Sequence, residues 1–262
     1  MLKPFKRFTS DLYSSRFIIV NLVNQELTVK YKRSVLGFLW SLISPLATMI
    51  VGAFVFGSIM RFEIQGFVVF LYAAMLPWNF FAISVDSSGS SILNAEGFIK
   101  KIYIAKIVFP FSIVCSQFIN MLFSMVSMFI IMFFLGARVT VALVFLPVSF
   151  LLIIFFTLGL SLVTATVNVY FRDMRHITGV IMSAWYFITP ILYPLAFIPE
   201  HLQPIFLLNP AYYLIDMFRQ PIYYASFPSL NNFLIALAVS LVVFMLGLVV
   251  FYKNERDFVY RL

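Results

Sequence analysis

Charge is what this chain has least of. Only 11% of its 262 residues are Asp, Glu, Lys or Arg, and six stretches hold none of these and no His: 34 to 60, 64 to 85, 107 to 137, 139 to 171, 177 to 199 and 220 to 252. Each is long enough to supply the roughly 20 mainly apolar residues that one bilayer-crossing helix requires. What remains between them excludes a sizeable soluble domain. The wet parts are the first 33 residues, the segment from Asp86 to Lys106 and the residues from Lys253 onward. None could house a nucleotide-binding domain of ordinary size, on the order of 100 to 200 residues.

Other absences narrow the chemistry. Cys115 is the single cysteine, which excludes a disulfide within the chain, and its apolar surroundings make it a small packing residue. No pair of carboxylates falls inside an apolar stretch, and His176 and His201 lie on opposite sides of the expected membrane. Neither acid–base catalysis nor a metal site at membrane depth has candidates, so the catalytic and metal assignments are both none. The same lack argues against proton-driven transport, and less strongly against sodium coupling, for which backbone carbonyls suffice. A phosphate-cradling loop is missing too: Gly52 and Gly57 have the right separation, but Ser58 and Ile59 follow them. If the chain moves a cargo uphill, the energy must come from a partner acting on its cytoplasmic parts. The opening Met1-Leu2-Lys3-Pro4-Phe5-Lys6-Arg7 shows no short apolar core with a cleavage site, so no removable signal peptide is expected.

What is present is distributed unevenly. The net charge of +8 could suggest nucleic acid, but of the 18 Lys and Arg residues only Arg61, Arg138 and Arg219 fall on one side of the six-span arrangement. The rest crowd the other side, which makes charge a topology signal and places both termini in the cytoplasm. Residues 17 to 33 mix apolar residues with Asn21, Asn24, Gln25, Thr28 and Lys32 at spacings of three to four, the pattern of a helix lying along the cytoplasmic surface. Either an anchor or a docking element fits that helix. Pro45 and Pro77 imply kinks in spans one and two, and Asn79, Asn120 and Asn168 suit hydrogen bonds between helices. The hairpin 136–140 joins spans three and four as antiparallel neighbours. Prolines then gather between Pro190 and Pro228, beside Trp185, Tyr186, Tyr193, Tyr212 and Tyr213. Span five should break near Pro190 and Pro194, with residues 199 to 228 forming short re-entrant or surface helices on the outer side. An ordinary aromatic belt with a loop explains this composition as readily as a gate does.

The expected fold class is therefore all-α integral membrane: 1–33 as a cytoplasmic N-terminal segment with an interface helix, and 34–262 as a six-span domain. Within that domain, 86–106 forms a cytoplasmic loop and 190–228 an extracytoplasmic region.

Two stretches are specific, Glu26-Leu-Thr-Val-Lys-Tyr-Lys-Arg-Ser-Val-Leu-Gly-Phe-Leu-Trp-Ser-Leu-Ile-Ser-Pro45 and Val169-Tyr-Phe-Arg-Asp-Met-Arg-His-Ile177. With Leu76-Pro-Trp-Asn-Phe-Phe81, Phe98-Ile-Lys-Lys-Ile-Tyr103 and Asn209-Pro210, in order along almost the whole chain, they resemble the membrane subunit of ABC-2-type polysaccharide exporters, which serve O-antigen, capsule and teichoic acid export. One departure is Ile104-Ala105-Lys106, where related sequences commonly carry a proline. The resemblance implies a homodimer in the bacterial inner membrane that pairs with two copies of a separate ATPase subunit. That ATPase carries the ATP and Mg; this chain holds no cofactor. The cargo would be polyprenyl-linked polysaccharide, the surroundings membrane lipid, and nucleic acid no partner. The runner-up readings are an ABC-2-type permease for drugs or lipids and an integral-membrane glycosyl or acyl transferase.

The resemblance puts the ATPase against the interface helix and the 86–106 loop, and Glu26, Asp86, Glu96, Lys100 and Lys101 are the coupling candidates there. Arg172, Asp173 and Arg175 form either a second cytoplasmic contact or a local ion-pair network. A glycan needs a wall along which sugar rings slide, and aromatic faces with Tyr hydroxyls supply one. The candidates are Trp40, Tyr72, Trp78, Phe81, Trp185, Tyr186 and Tyr193, for each of which helix packing is the plainer role. Pro190, Pro194, Tyr212 and Tyr213 are the outer-gate candidates. Arg16, Lys30 and Arg33 are placed to receive a lipid pyrophosphate, unless they only set orientation.

Overall fold

The computed structural model describes residues 2–31, 64–136 and 139–262, with seven positions between 40 and 55, Trp40 among them. Span one lies almost wholly outside these residues. Every regular element among the described residues is a helix: α1 (Leu2–Ser14), α2 (Arg16–Tyr31), α3 (Ile64–Gly89), α4 (Ser91–Asn94), α5 (Glu96–Ile99), α6 (Val108–Phe134), α7 (Leu146–Tyr170), α8 (Met174–Ile188), α9 (Gln203–Leu207), α10 (Pro210–Ile222), α11 (Leu230–Asn254) and α12 (Phe258–Arg261).

Among the described residues, four stretches are long and apolar enough to cross a membrane: Gly66–Gly89, Val108–Phe134, Val141–Tyr170 and Leu230–Arg261. They correspond to the second, third, fourth and sixth charge-free stretches. In the first of them, α3, 78% of the most apolar window is buried, against 28% in the last. A helix hydrophobic on every side belongs in the middle, and α3 is that helix, packed on α6, α7, α8 and α10. Pro77 lies inside it without ending it. The α3 helix also runs four residues further than the charge pattern suggested, so Asp86 is helical rather than the first loop residue.

The pair α7 and α11 packs backbone on backbone. A Cβ on Gly159 would collide with the Val243 carbonyl and lie 2.7 Å from the Phe244 nitrogen, and one on Gly247 would lie 2.7 Å from the Gly159 Cα. Helices in lipid gain little from apolar association alone, so close approach through small residues is how they adhere. Polar side chains add specific ties. Asn168 of α7 donates to the Gly89 carbonyl at 2.8 Å, Ser149 to the Met217 carbonyl at 2.7 Å, and the Tyr72 hydroxyl to the Ser124 carbonyl at 3.2 Å. Asn120 bonds Gln117 of its own helix, and Asn79 is exposed.

The fifth charge-free stretch behaves differently. Its helix, α8, has 15 residues. At 1.5 Å per residue it spans only about 22 Å, short of a hydrocarbon core of about 30 Å. Thr189 turns extended (φ −95°, ψ 129°), as a residue before proline does, and the chain continues without a long helix to Leu202. The expected break at Pro190 is present. Of the short re-entrant or surface helices expected over 199–228, α10 is buried along most of its length, on α3, α7 and α11, while α9 has no buried residue.

The bundle has two chemically distinct ends. At one, Thr140 donates to the Ala225 carbonyl and Phe70 meets Tyr223 edge to face at 5.2 Å, so the start of α3, the α6–α7 turn and the end of α10 lie together. At the other, α1, α4, α5 and the ends of α7 and α11 converge. Among the described residues every Lys and Arg except Arg219 is at this second end. Replacing Gly159 or Gly247 by Val should cost at least about 3 kcal/mol by overpacking, read as a fall in detergent-solubilised unfolding temperature. Gly97→Ala, where a Cβ meets nothing within 4 Å, should stay within about 0.5 kcal/mol.

Candidate functional site

The break after α8 leaves carbonyl groups that no helix satisfies, and α10 is built to meet them. Asn209 caps α10 by accepting from the Ala211 amide at 3.0 Å, with Pro210 in the first turn where a missing N–H costs nothing. The same Asn209 oxygen accepts from the Trp185 indole N–H at 2.8 Å, while its amide donates to the Thr189 hydroxyl at 2.8 Å and the Ile188 carbonyl at 3.4 Å. One buried amide thus ties the end of α8 to the start of α10. Three turns on, Arg219 donates to the Pro190 carbonyl at 2.7 Å and the Ile191 carbonyl at 2.6 Å, with its guanidinium 3.8 Å from the centre of the Phe70 ring. Arg219 is 6% exposed, and charge-assisted bonds to carbonyls together with an aromatic face make that burial tolerable.

Beneath the break the aromatic candidates meet one another. Trp78 packs on Phe81 at 5.4 Å and on Tyr186 at 5.7 Å, Phe81 on Trp185 at 5.2 Å, and Phe156 of α7 closes the group at 5.3 Å from Phe81. Tyr72, Trp78 and Phe81 are buried among the helices of their own chain, whereas Trp185, Tyr186 and Tyr193 are half-buried and Trp40 is exposed. Tyr193 donates to the Phe187 carbonyl at 2.9 Å across the break, and Tyr213 to the Leu207 carbonyl at 2.8 Å. Pro190 is buried and Pro194 half-buried; Tyr212 packs edge to face on Tyr213 at 5.2 Å.

At the basic end the structure brings Glu26 to the loop after α3. Glu26, Gln25 and Leu22 face Ser91, Asn94, Ala95 and Phe98 across a cleft of about 160 Å³, with Phe109 and Ser112 of α6 at its floor. Glu96 and Lys100 pair at 2.6 Å one turn apart, and the Lys100 hydrogen bond holds the exposed Glu96 carboxyl below its ordinary range. Lys101 is exposed. Arg172, Asp173 and Arg175 are exposed, and among the described residues no ion pair joins them to each other. Arg16 donates to the Tyr13 carbonyl and stacks on Tyr13 and Phe17. Arg33 and the Lys30 side chain lie outside the described residues.

Sequence reasoning missed a second cluster at this end. Residues 2–14 form a helix, α1, whose Phe8 inserts between Phe111 of α6 and Phe244 of α11, edge to face at 6.0 and 5.5 Å. Arg7 pairs with Glu255 at 2.7 Å and lies 4.6 Å from the centre of the Tyr252 ring; Tyr252 donates to Asp11 at 2.9 Å and Lys106 to the Glu255 carbonyl at 2.9 Å. The clue was Phe5, Phe8 and Leu12 at helical spacing opposite Lys3, Lys6 and Arg7. Arg219 was read only as a stray charge; its clue was isolation amid the aromatic and proline-rich segment.

Asn209→Ala should remove the cap and three further bonds, a loss of about 2 to 3 kcal/mol, visible as an earlier unfolding transition. Arg7→Ala and Glu255→Gln should each speed hydrogen exchange in α1, with a coupling of about 1 kcal/mol between them in the double variant, because Arg7 is largely solvated.

Residues 19–223 match the family described as ABC-2 type transporter. The chain is 32% identical over 254 residues to the O-antigen export system permease protein RfbA of Myxococcus xanthus, covering 96% of this chain and 98% of that protein. Identity is 30% over 204 residues to RfbA of Klebsiella pneumoniae, covering 78% and 79% of the two chains. It is 23% over 242 residues to the polysialic acid transport protein KpsM of Escherichia coli, covering 88% and 91%.

Proposed function

The chain belongs to the ABC-2 type transporter family, and on that premise we propose that it is the membrane-spanning subunit of an ATP-driven exporter carrying lipid-linked polysaccharide, O-antigen foremost, out of the cytoplasm. The observation that carries this reading is similarity to an O-antigen export permease along 96% of the chain, both bundle ends included. The subunit has six spans, counting the segment outside the described residues and the broken α8 segment, with both termini in the cytoplasm of a bacterium and the body in its inner membrane. It works as a homodimer with two copies of an ATPase that supplies ATP and Mg.

Each end then has a task. Glu26 and the 91–98 segment sit side by side, so a partner pressing on the cleft between them moves α2 and the start of α6 together. Asp86, Glu96, Lys100, Lys101, Arg172, Asp173 and Arg175 are assigned to the same ATPase-facing surface. Trp40, Trp185, Tyr186 and Tyr193 retain accessible surface for a passing glycan, while Tyr72, Trp78 and Phe81 support that wall from behind. Arg16, Lys30 and Arg33 offer positive charge to the lipid pyrophosphate at the same end. Pro190, Pro194, Tyr212 and Tyr213 belong to the outer closure.

Deleting the gene should abolish surface polysaccharide and accumulate lipid-linked polymer inside the cell, and the tagged chain should co-purify with a Walker-type ATPase. Glu26→Lys should weaken that co-purification at least several-fold while leaving membrane levels of the chain unchanged. A solitary chain whose loss leaves surface polymer intact would overturn the reading.

A further inference from the structure

At the outer end, between α10 and the chain after the break, lies a cavity of about 380 Å³ lined by Tyr212, Asp216, Arg219, Gln220, Tyr224 and Ser226, with Pro194 and Leu195 opposite. That volume is in the lower part of the range of small-molecule sites. Asp216 and Arg219 are one helical turn apart on α10, both buried, and both on the wall of this cavity. Opposite charges taken from water ordinarily close on each other. Here no ion pair joins them. Arg219 is held away by the Pro190 and Ile191 carbonyls, and Asp216 by amide donors from Gln220 at 3.0 Å and Asn232 at 2.8 Å.

The result is an oriented carboxylate and an oriented guanidinium flanking open space. The Arg219 Nε is buried with no partner. Among the described residues the Tyr212 and Tyr224 hydroxyls make no hydrogen bond, and their rings pack edge to face on Tyr213 and Tyr223. Tyr224 and Ser226 at the mouth are fixed by a turn that places Ala225 at φ 54° and ties Ser226 to Gln220 through both its amide and its hydroxyl. A left-handed alanine is uncommon, and such residues concentrate at functional sites.

We propose that this cavity is a binding subsite for a neutral, polyhydroxylated ligand: a segment of the glycan as it leaves the bundle. A free anion would meet Asp216, a free cation Arg219, and an acyl chain would strand polar groups without water. Sugar hydroxyls both donate and accept, and they match a wall that offers carboxylate oxygens, guanidinium and phenol hydrogens within one small space. The proposal rests on the exporter reading and adds a place where the polymer pauses outside the helical core. Because Arg219 also holds the break after α8, a sugar lodged here touches the residue that ties α10 to that break.

The test uses cells carrying the full chain with its partner ATPase, in a Cys115→Ala background with Ser226→Cys at the exposed mouth. A membrane-impermeant maleimide is added outside, to cells that assemble the polymer and to cells whose first sugar transferase is disabled. Labelling should be several-fold slower where polymer is made, and Tyr212→Phe with Tyr224→Phe should restore the faster rate. Equal rates in the two cells overturn the subsite, as does failure to label from outside in either. Protection that survives the double Phe substitution overturns the assigned chemistry. Surface polymer is scored in the same cells: polymer that depends on this chain with labelling unchanged sinks the subsite alone, whereas polymer independent of the chain sinks the exporter reading and the subsite with it.

Discussion

A helix that stops among packed neighbours leaves carbonyl oxygens without intrahelical partners, and this constraint shapes the end of the molecule where α8 breaks. The α8 helix stops at Ile188 because Pro190 cannot continue it. Unsatisfied backbone at membrane depth costs several kcal/mol per group, so a broken span survives only where protein covers it. Arg219 covers the Pro190 and Ile191 carbonyls and Asn209 the Ile188 carbonyl and Thr189 hydroxyl, both from α10. The α10 helix is therefore no surface ornament. It supplies, from the other side of a loop, the partners that the end of α8 lacks.

This arrangement explains why a buried arginine is retained in so apolar a region. A guanidinium offers five donors in a fixed plane and stays charged when buried. Two adjacent carbonyls pointing the same way can be met by one such fork, and the Phe70 ring takes its remaining face. A lysine would meet a single carbonyl well and pack poorly on the ring. The Arg219 contacts also fix α8, α10 and the start of α3 as one block, so movement of the break involves all three.

Much of this was legible in the sequence, and the failures have physical causes. Absence of charge marked the spans, because a single ionised group at membrane depth costs enough to be avoided, and four of the six stretches coincide with helices long enough to cross. Pro190 marked the break because proline acts locally. Glu26 and the 91–98 segment were assigned to one surface by family resemblance, and the geometry puts them across a single cleft. What escaped depends on contacts between residues far apart in sequence. Arg7 with Glu255 and Arg219 with Pro190 connect positions that no local pattern links. The burial of Trp78 and Phe81 is of the same kind, since an aromatic residue reads alike whether it lines a passage or fills a core.

Force applied at the basic end has a defined route to the outer one. The α2 helix packs on α6, and α6 on the central α3, whose far end carries Phe70 beneath Arg219. Well-packed interiors transmit displacement rather than absorbing it. A second route runs from α1 through Arg7 and Glu255 into α11, whose first turn carries Asn232 against Asp216. Both routes converge on α10, one at each of its buried charges. A push from the basic end thus reaches Arg219 through α3 and Asp216 through α11. Displacing the basic end as one body therefore loads both buried charges of α10 at once.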